Sequence, residues 1–145
     1  MESSICFEVP GIPAPGGSKR GFLHKRTGRV IVTDDCRRNK DWRAVVALVA
    51  SEHIKEPLAG PVSVTVTFFM PRPKSHFGKR GLKLNAPTYH TVRPDSTKLW
   101  RAAEDALKGI AWFDDAQVVR QLIEKRYGDT PGAAVEIRKE VPDAR

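Results

Sequence analysis

Cysteines, histidines and long apolar runs are all scarce in this chain, and each scarcity excludes a class of protein. The 145 residues include 2 cysteines and 4 histidines, and none of them has the paired spacing of a zinc site. No apolar run approaches the length of a membrane span, and none follows Met1 as in a secretory signal. We therefore expect a cytoplasmic protein with reduced thiols and no membrane partner.

Several catalytic signatures are also missing. The sequence contains no glycine-rich phosphate loop, no nucleophile elbow and no Cys–His pair. It shows no internal repeat and no linker that would separate two domains. A chain of this length can bury one core, so we expect a single domain over residues 1–145.

Acidic residues are outnumbered, and unevenly so. The chain has 25 Lys and Arg against 17 Asp and Glu, a net charge of +8. Residues 1–93 carry 16 of these cations and 7 of the acids, whereas residues 94–145 carry 9 and 10. Such an excess favours a polyanionic partner, with binding and chemistry divided along the sequence.

The hydrophobic pattern predicts an α/β domain. Alternating apolar residues predict strands over 4–9, 29–32, 62–70, 118–127 and 133–137, the fourth of them interior to the sheet. Helical spacing predicts one helix that ends before Pro57 and a second over residues 96–108. Residues 71–93 read as a long loop. We expect a mixed sheet of about five strands with two main helices.

The single dense acidic patch points to chemistry. Five acids fall between residues 94 and 117 of this basic chain, and oxygen ligands of this kind suit Mg²⁺ or Mn²⁺. The patch therefore indicates a metal-dependent enzyme that acts on nucleic-acid phosphates. The five residues are Asp95, Glu104, Asp105, Asp114 and Asp115.

Three short motifs in this patch resemble one family. Pro94-Asp95-x-x-Lys98-Leu99-x-Arg101, then Asp105-Ala106-Leu107, then Asp114-Asp115-Ala116-Gln117-Val118 resemble the RusA family of Holliday-junction resolvases, including its phage members. The resemblance implies a small α/β homodimer that binds four-way DNA junctions and cuts them with Mg²⁺. It also implies catalytic or metal-binding roles for Asp95, Asp114 and Asp115, with Asp105 as a further candidate ligand.

Two positions depart from the family pattern. The family carries a second acid where this chain has Thr97, and a lysine where it has Arg101. A hydroxyl can bind Mg²⁺ but brings no negative charge, whereas a guanidinium can still hold a phosphate. Glu104 lies about 20° from Thr97 around the helix, two turns on, and is a candidate to replace the missing charge.

Two basic segments without intervening acids predict the DNA-binding surface. Aromatic side chains among them could stack on bases exposed at a junction, although such runs are often only solvated loops. The candidates for DNA contact are Lys19, Arg20, Lys25, Arg26, Arg72, Lys74, His76, Lys79, Arg80, Lys98 and Arg101.

Other interpretations remain open for the same residues. Asp95 could simply cap a helix, Asp114 and Asp115 could form a turn, and Glu104 with Arg101 could be an exposed ion pair. Pro94-Asp95 paired with Glu136-Ile137-Arg138 would be a degenerate restriction-type site. A junction-binding protein that has lost cleavage is the alternative from another functional class.

Overall fold

A mixed β-sheet with two helices packed on one face organises the chain. The computed structural model describes residues 4–16, 19–23, 30–34 and 37–143. Among the described strands, the main sheet has the order β1-β8-β4-β7. The elements are β1 (Ser4–Pro10), β2 (Lys19–Leu23), β3 (Val30–Asp34), α1 (Arg37–His53), β4 (Val62–Met70), β5 (Phe77–Gly78), β6 (Gly81–Leu82), α2 (Ser96–Leu107), β7 (Val118–Tyr127) and β8 (Gly132–Lys139).

The central strand β4 forms the inner wall of the core. Its apolar residues alternate with Ser and Thr, and the alternate positions from Val62 to Met70 are buried, as expected for a strand with one face on the core. β4 pairs antiparallel with β8 and parallel with β7. Because β4 and β7 are parallel, the chain must cross over between them, and α2 lies in that crossover.

Both helices bury a narrow apolar face against this wall. On α1, Trp42, Val46 and Ala50 recur at a spacing of four residues and are buried. On α2, Leu99, Ala103 and Leu107 do the same, which leaves the charged residues of that helix on its outer side. None of the helices in the described ranges is long and apolar enough to cross a membrane.

The structure confirms most of the predicted elements and corrects two. The predicted strand 118–127 is present as β7, but the prediction that it lies inside the sheet is wrong, because β7 is an edge of the sheet that the described strands form. The predicted mixed sheet is confirmed, but it contains four of the described strands rather than about five. Four strands form the main sheet, and the predicted strand 29–32 corresponds to β3, which pairs with β2 in a separate hairpin. Pairing partners depend on contacts distant in sequence, which a local pattern does not contain.

The predicted long loop, residues 71–93, is attached to the end of β7. The backbone N–H of Tyr127 donates to the carbonyl of Thr88 (2.9 Å), and the N–H of His90 donates to that of Lys125 (3.2 Å). Tyr89 and Arg126 form an isolated antiparallel bridge between these bonds. The segment therefore extends the sheet locally, and it also contains the short hairpin of β5 and β6.

Candidate active site

Asp95 lies directly before α2, where a helix cap is expected. Its backbone is extended (φ −70°, ψ 147°), yet its side chain makes no capping hydrogen bond to the first turn of the helix. The residue is exposed. Its carboxylate is thus not used for capping and is free to bind another partner.

The neighbour of Asp95 is Lys125, a residue near the end of β7 that the sequence reasoning missed. Its ammonium donates to the carbonyl of Pro94 (2.8 Å) and to that of Val92 (2.9 Å). Burial lowers the pKa of Lys125, and the Asp95 carboxylate partly offsets that change. Lys125 therefore fastens the segment that carries Asp95 to the sheet, with a charge next to the Asp95 carboxylate.

The same lysine influences a buried histidine. His90 is almost fully buried, and its Nδ1 has no hydrogen-bond partner among the described residues. Burial lowers the pKa of His90, and the Lys125 ammonium lowers it further, against the effect of a backbone hydrogen bond. Both of the larger causes disfavour the imidazolium form of His90.

A second acidic group lies towards the other end of α2. Glu104 is half-buried in the last turn of the helix. Burial raises the pKa of its carboxyl, and the charges of Asp115 and Asp105 raise it further, while Trp100 and Arg101 act in the opposite direction. Glu104 and Asp115 are thus near enough to repel each other, although one lies in α2 and the other in the turn before β7.

Two tryptophans support this acidic pair. The fully buried Trp112 donates its indole N–H to Oδ1 of Asp115 (2.9 Å). Its ring lies 6.4 Å from that of Trp100, a buried residue of α2. The buried Trp112 therefore holds the Asp115 carboxylate in position, and only part of the hydrogen-bonding capacity of that carboxylate is used.

Asp114 has a structural role in the turn before β7. Its carboxylate accepts from the N–H of Ala116 (3.1 Å), and Gln117 Oε1 accepts from the N–H of Asp114 (2.9 Å). The amide nitrogen of Gln117 donates to the carbonyls of Leu58 and Gly60. This capping box fixes the turn and anchors it to the segment before β4. Asp114 therefore fits the interpretation in which the acidic motif forms a turn. The capping box also sets the position of the adjacent Asp115.

Within one chain, Asp95 and Glu104 lie at opposite ends of α2. Asp95 precedes α2 and Glu104 lies nine positions later, which is about 13 Å along a helix axis. The charge near Asp95 is Lys125, whereas Glu104 lies near two acids, Asp115 and Asp105, and one cation, Arg101. No group of three or more His, Cys, Asp or Glu side chains in the described ranges is arranged to hold a metal ion.

The remaining candidates on α2 lie along its outer face. Thr97, Lys98, Arg101 and Asp105 are all exposed, as the helical pattern predicts. Arg101 is close enough to Glu104 to affect its pKa. The outer face therefore carries cations in its first half and acids in its last turn.

Apart from Lys98 and Arg101 on α2, the predicted DNA-binding residues fall into three groups. Arg72 and His76 are half-buried, whereas Lys74, Lys79 and Arg80 are exposed in the same segment. Lys19 and Arg20 belong to β2, paired with β3, and only their backbone is described. Lys25 and Arg26 lie outside the described residues.

The restriction-type alternative does not fit this fold. Glu136 alternates with the buried Val135 and Ile137 on β8, so its side chain lies on the sheet face opposite the helices. It is bonded to Arg138 on the same strand. Asp95 belongs to the helical side, and the two carboxylates are therefore on different faces.

The acidic pair fits a divalent cation by the chemistry of its donors. Mg²⁺ is commonly bound by one or two carboxylates, with water and substrate phosphate as its other ligands. Glu104 and Asp115 supply two such carboxylates; burial raises the pKa of Glu104 and the Asp115 charge raises it further, and a bound cation would relieve that repulsion.

Comparison with known proteins gives two matches. The family model described as Endodeoxyribonuclease RusA matches residues 10–138. The chain is also 35% identical over 139 residues to the uncharacterized protein YqaN of Bacillus subtilis strain 168, and this alignment covers 93% of the chain and 96% of that protein. Both matches include the acidic segment and the basic loop before it.

Proposed function

We propose that this chain, which belongs to the RusA endodeoxyribonuclease family, cuts four-way DNA junctions by metal-assisted hydrolysis of a phosphodiester bond. The observation that carries this proposal is the acidic surrounding of the half-buried Glu104, whose pKa is raised by burial and by the neighbouring charges of Asp115 and Asp105, in a chain of net charge +8. Keeping like charges close costs folding free energy, and a divalent cation with a DNA phosphate would offset that cost.

Glu104 and Asp115 are the residues that would hold Mg²⁺, with Mn²⁺ as the alternative. Asp105 and Asp114 would add to the negative field around them. When bound, the cation supplies Lewis-acid stabilisation for the charge that develops on the phosphate during hydrolysis. The indole N–H of Trp112 holds Asp115 in place, so the carboxylate does not have to reorganise when the substrate arrives.

Arg101 is the proposed phosphate-binding residue. It is exposed, lies one turn before Glu104, and presents a planar group that can bind a phosphate through two parallel hydrogen bonds. Lys98, one turn earlier, can bind the adjoining phosphate. The hydroxyl of Thr97 can orient a water or a phosphate oxygen without adding charge.

Asp95 is the second proposed acidic centre, at the other end of α2. Its neighbour Lys125 fixes the segment on which it lies. We include a homodimer in the proposal because β7 is an edge of the sheet that the described strands form, its Val119 and Leu122 are exposed, and an edge strand offers unpaired backbone groups to another chain. A second copy could bring its Asp95 to the Glu104–Asp115 pair.

Complementation between inactive copies would test this arrangement. Asp95→Asn and Asp115→Asn would be refolded together and assayed as a mixture. A site shared between copies leaves one intact site in each heterodimer, so the mixture should regain nicking that neither variant has alone. No recovery, with heterodimers present by mass spectrometry, would confine the site to one chain.

The activity itself is tested with a synthetic four-way junction and the matching linear duplex. We expect symmetric cuts in the junction with Mg²⁺ or Mn²⁺, none with EDTA, and little cutting of the duplex. Asp129→Asn, which removes an exposed acid in the turn between β7 and β8, serves as the control for Asp115→Asn. A protein that binds no junction in preference to duplex would contradict the proposal.

A branched-DNA-binding protein without cleavage is the second candidate. The observation in its favour is that Thr97 replaces an acid, together with the lack of a three-ligand group among the described residues. Its expected result in the same assay is tight junction binding with no product across Mg²⁺ and Mn²⁺.

A further inference from the structure

The segment between β4 and α2 exposes apolar side chains in a stretch that contains no acid. Residues 71–93 include six Lys and Arg and no Asp or Glu. Within it, Phe77 and Leu82 are about half exposed and Leu84 is completely exposed. Large apolar side chains on a surface are unremarkable when single, but three close together in the sequence suggest a contact surface.

These residues belong to a small hairpin. β5 and β6 pair antiparallel with Phe77 directly opposite Leu82, which places both side chains on one face. The exposed Lys79 and Arg80 form the turn, and Lys83 donates its backbone N–H to the carbonyl of His76 (2.9 Å). We name residues 74–84 the basic finger: a short hairpin with cations at its tip and apolar side chains on its flank.

Tyr127, the last residue of β7, is the anchor of the basic finger. The ring of His76 meets that of Tyr127 edge to face, with centroids 4.8 Å apart, and the Arg72 guanidinium lies 5.2 Å from the same ring. Arg72 also donates to the carbonyl of Pro87 (2.8 Å). The base of the finger is therefore held by packing and by a charged hydrogen bond, which limits the ordering cost when its tip binds a ligand.

The anchor is also next to the acidic centre that contains Asp95. Lys125 is two residues before Tyr127 on β7, so both side chains lie on the helical face of the sheet. Lys125 in turn bonds to the segment immediately before Asp95. The finger therefore lies near the Asp95 end of α2, the second acidic centre of the proposed function.

From this arrangement we propose that the basic finger recognises the branch point of DNA. Phe77, Leu82 and Leu84 contact bases that a junction leaves unstacked, while the cations of the finger bind the flanking phosphates. The inference rests on the proposed function, since it concerns how that site selects branched DNA. Aromatic and aliphatic side chains are the groups that stack on or wedge between bases, and linear duplex offers few unpaired faces to them.

Charge complementarity selects this ligand over the other possible occupants. An apolar surface alone would also fit a second copy of the chain, but the finger carries only cations, and two fingers would repel each other. A polyanion with exposed apolar faces satisfies both parts of the surface, and single-stranded or branched DNA has both properties.

The test uses the double variant Phe77→Ala/Leu84→Ala and a junction with 2-aminopurine beside the branch point, without divalent cation so that no cutting occurs. For the wild type we expect a rise in 2-aminopurine fluorescence on binding. The double variant should lose that rise and bind the junction about tenfold more weakly, with duplex affinity unchanged. Leu84→Ala alone, at a fully exposed position, keeps the test valid if the Phe77 change disturbs the hairpin.

Two control variants separate the apolar effect from others. Leu48→Ala removes an exposed leucine of α1 and should change neither affinity. Lys79→Ala/Arg80→Ala should weaken the binding of junction and duplex alike, because phosphate contacts do not depend on branching.

Wild-type protein that prefers the junction but leaves the fluorescence unchanged, or apolar variants that keep full preference, would overturn this inference and leave the proposed function intact. Apolar variants that instead lower the dimer fraction in sedimentation, with unchanged junction affinity per dimer, would assign the surface to a second copy and also overturn it. Wild-type protein without any junction preference would contradict the proposed function itself.

Discussion

Replacing Glu104 by glutamine should make the metal-free protein more stable at neutral pH. The raised pKa means that the folded state holds the Glu104 proton more tightly than the unfolded chain does. The stability that this group contributes is therefore complete below pH 4.5, its ordinary pKa, and is lost as the pH rises through the higher folded-state value. At pH 7 the ionised carboxylate is unfavourable, and Glu104→Gln removes the charge while it keeps the shape.

The expected size of this effect is small because Glu104 is only half-buried. Repulsion between partly exposed charges is worth about 1 kcal/mol or less, which is roughly 3 °C in the midpoint of thermal unfolding for a chain of this length. Glu52→Gln is the matched control, since it removes an exposed acid from α1. The midpoint of thermal unfolding of Glu52→Gln should not rise by a comparable amount.

Magnesium should reverse the order of thermal stability between the wild type and Glu104→Gln if Glu104 binds the ion. A cation at ten times its dissociation constant stabilises the folded wild type by about 1.4 kcal/mol, whereas a variant with tenfold weaker binding gains about 0.4 kcal/mol. The advantage of Glu104→Gln without metal should therefore vanish or change sign in excess Mg²⁺. Thermal unfolding at pH 7, in EDTA and across a Mg²⁺ titration, measures this without any cleavage assay.

A destabilised Glu104→Gln with the same magnesium response as the wild type would refute the reasoning and leave Glu104 as an ion-pair partner of Arg101. In the expected case, Glu104→Gln also cripples cleavage. Adding Thr97→Asp should then recover part of the rate, because it restores a carboxylate at the position where the family carries one.

Three further predictions follow from the same residues. Asp95→Asn and Asp115→Asn should each lower the cleavage rate by several orders of magnitude and leave junction affinity unchanged or tighter, since repulsion towards phosphate is relieved; near-normal cleavage by either would place the site elsewhere. Lys125→Met should lower the free energy of unfolding in urea by about 2 kcal/mol, because the carbonyls of Val92 and Pro94 lose a charged donor, and should reduce the cleavage rate more than DNA affinity. Replacement of Lys19, Arg20, Lys74 and Lys79 by Ala should weaken binding to all DNA forms and reduce its salt dependence by about one counterion per lost phosphate contact; an unchanged salt slope would make these residues ordinary solvated charges.

Local patterns in the sequence predicted the structural features that depend on residues close together in the chain, such as the bounds and the buried face of a single strand or helix. The alternation in β4 and the helical spacing in α2 appear in the structure with nearly the predicted bounds, because each pattern records which side of one element faces the core. The motif Asp-Asp-Ala-Gln was likewise interpretable, although the structure shows that Asp114 and Gln117 build a turn and leave Asp115 as the acid beside Glu104.

What the sequence did not reveal depends on pairing between distant segments. Lys125 is one basic residue of a strand, and its role follows only from the register that places the end of β7 beside residues 92–94. Trp112 and Tyr127 are similar cases, since a tryptophan or a tyrosine in a short apolar run is usually core. The edge position of β7 also depends on the order of strands, which alternation along one strand does not determine.

The charges within α2 are arranged against the helix dipole, although the two cap residues, Asp95 and Lys108, have the favourable sign. A helix has a positive N-terminal end and a negative C-terminal end, so acids in the first turn and cations in the last turn are favourable. In α2 the first turn has no acid and the last turn has no cation, whereas Lys98 and Arg101 come early and Glu104 and Asp105 come late. Each misplaced charge costs a few tenths of a kcal/mol, and the buried Leu99, Ala103 and Leu107 must compensate for it. This order has a physical reason if α2 binds phosphate along its first half and a cation at its last turn. Each ligand then meets the opposite charge, and the unfavourable order is relieved only when DNA and metal are both present.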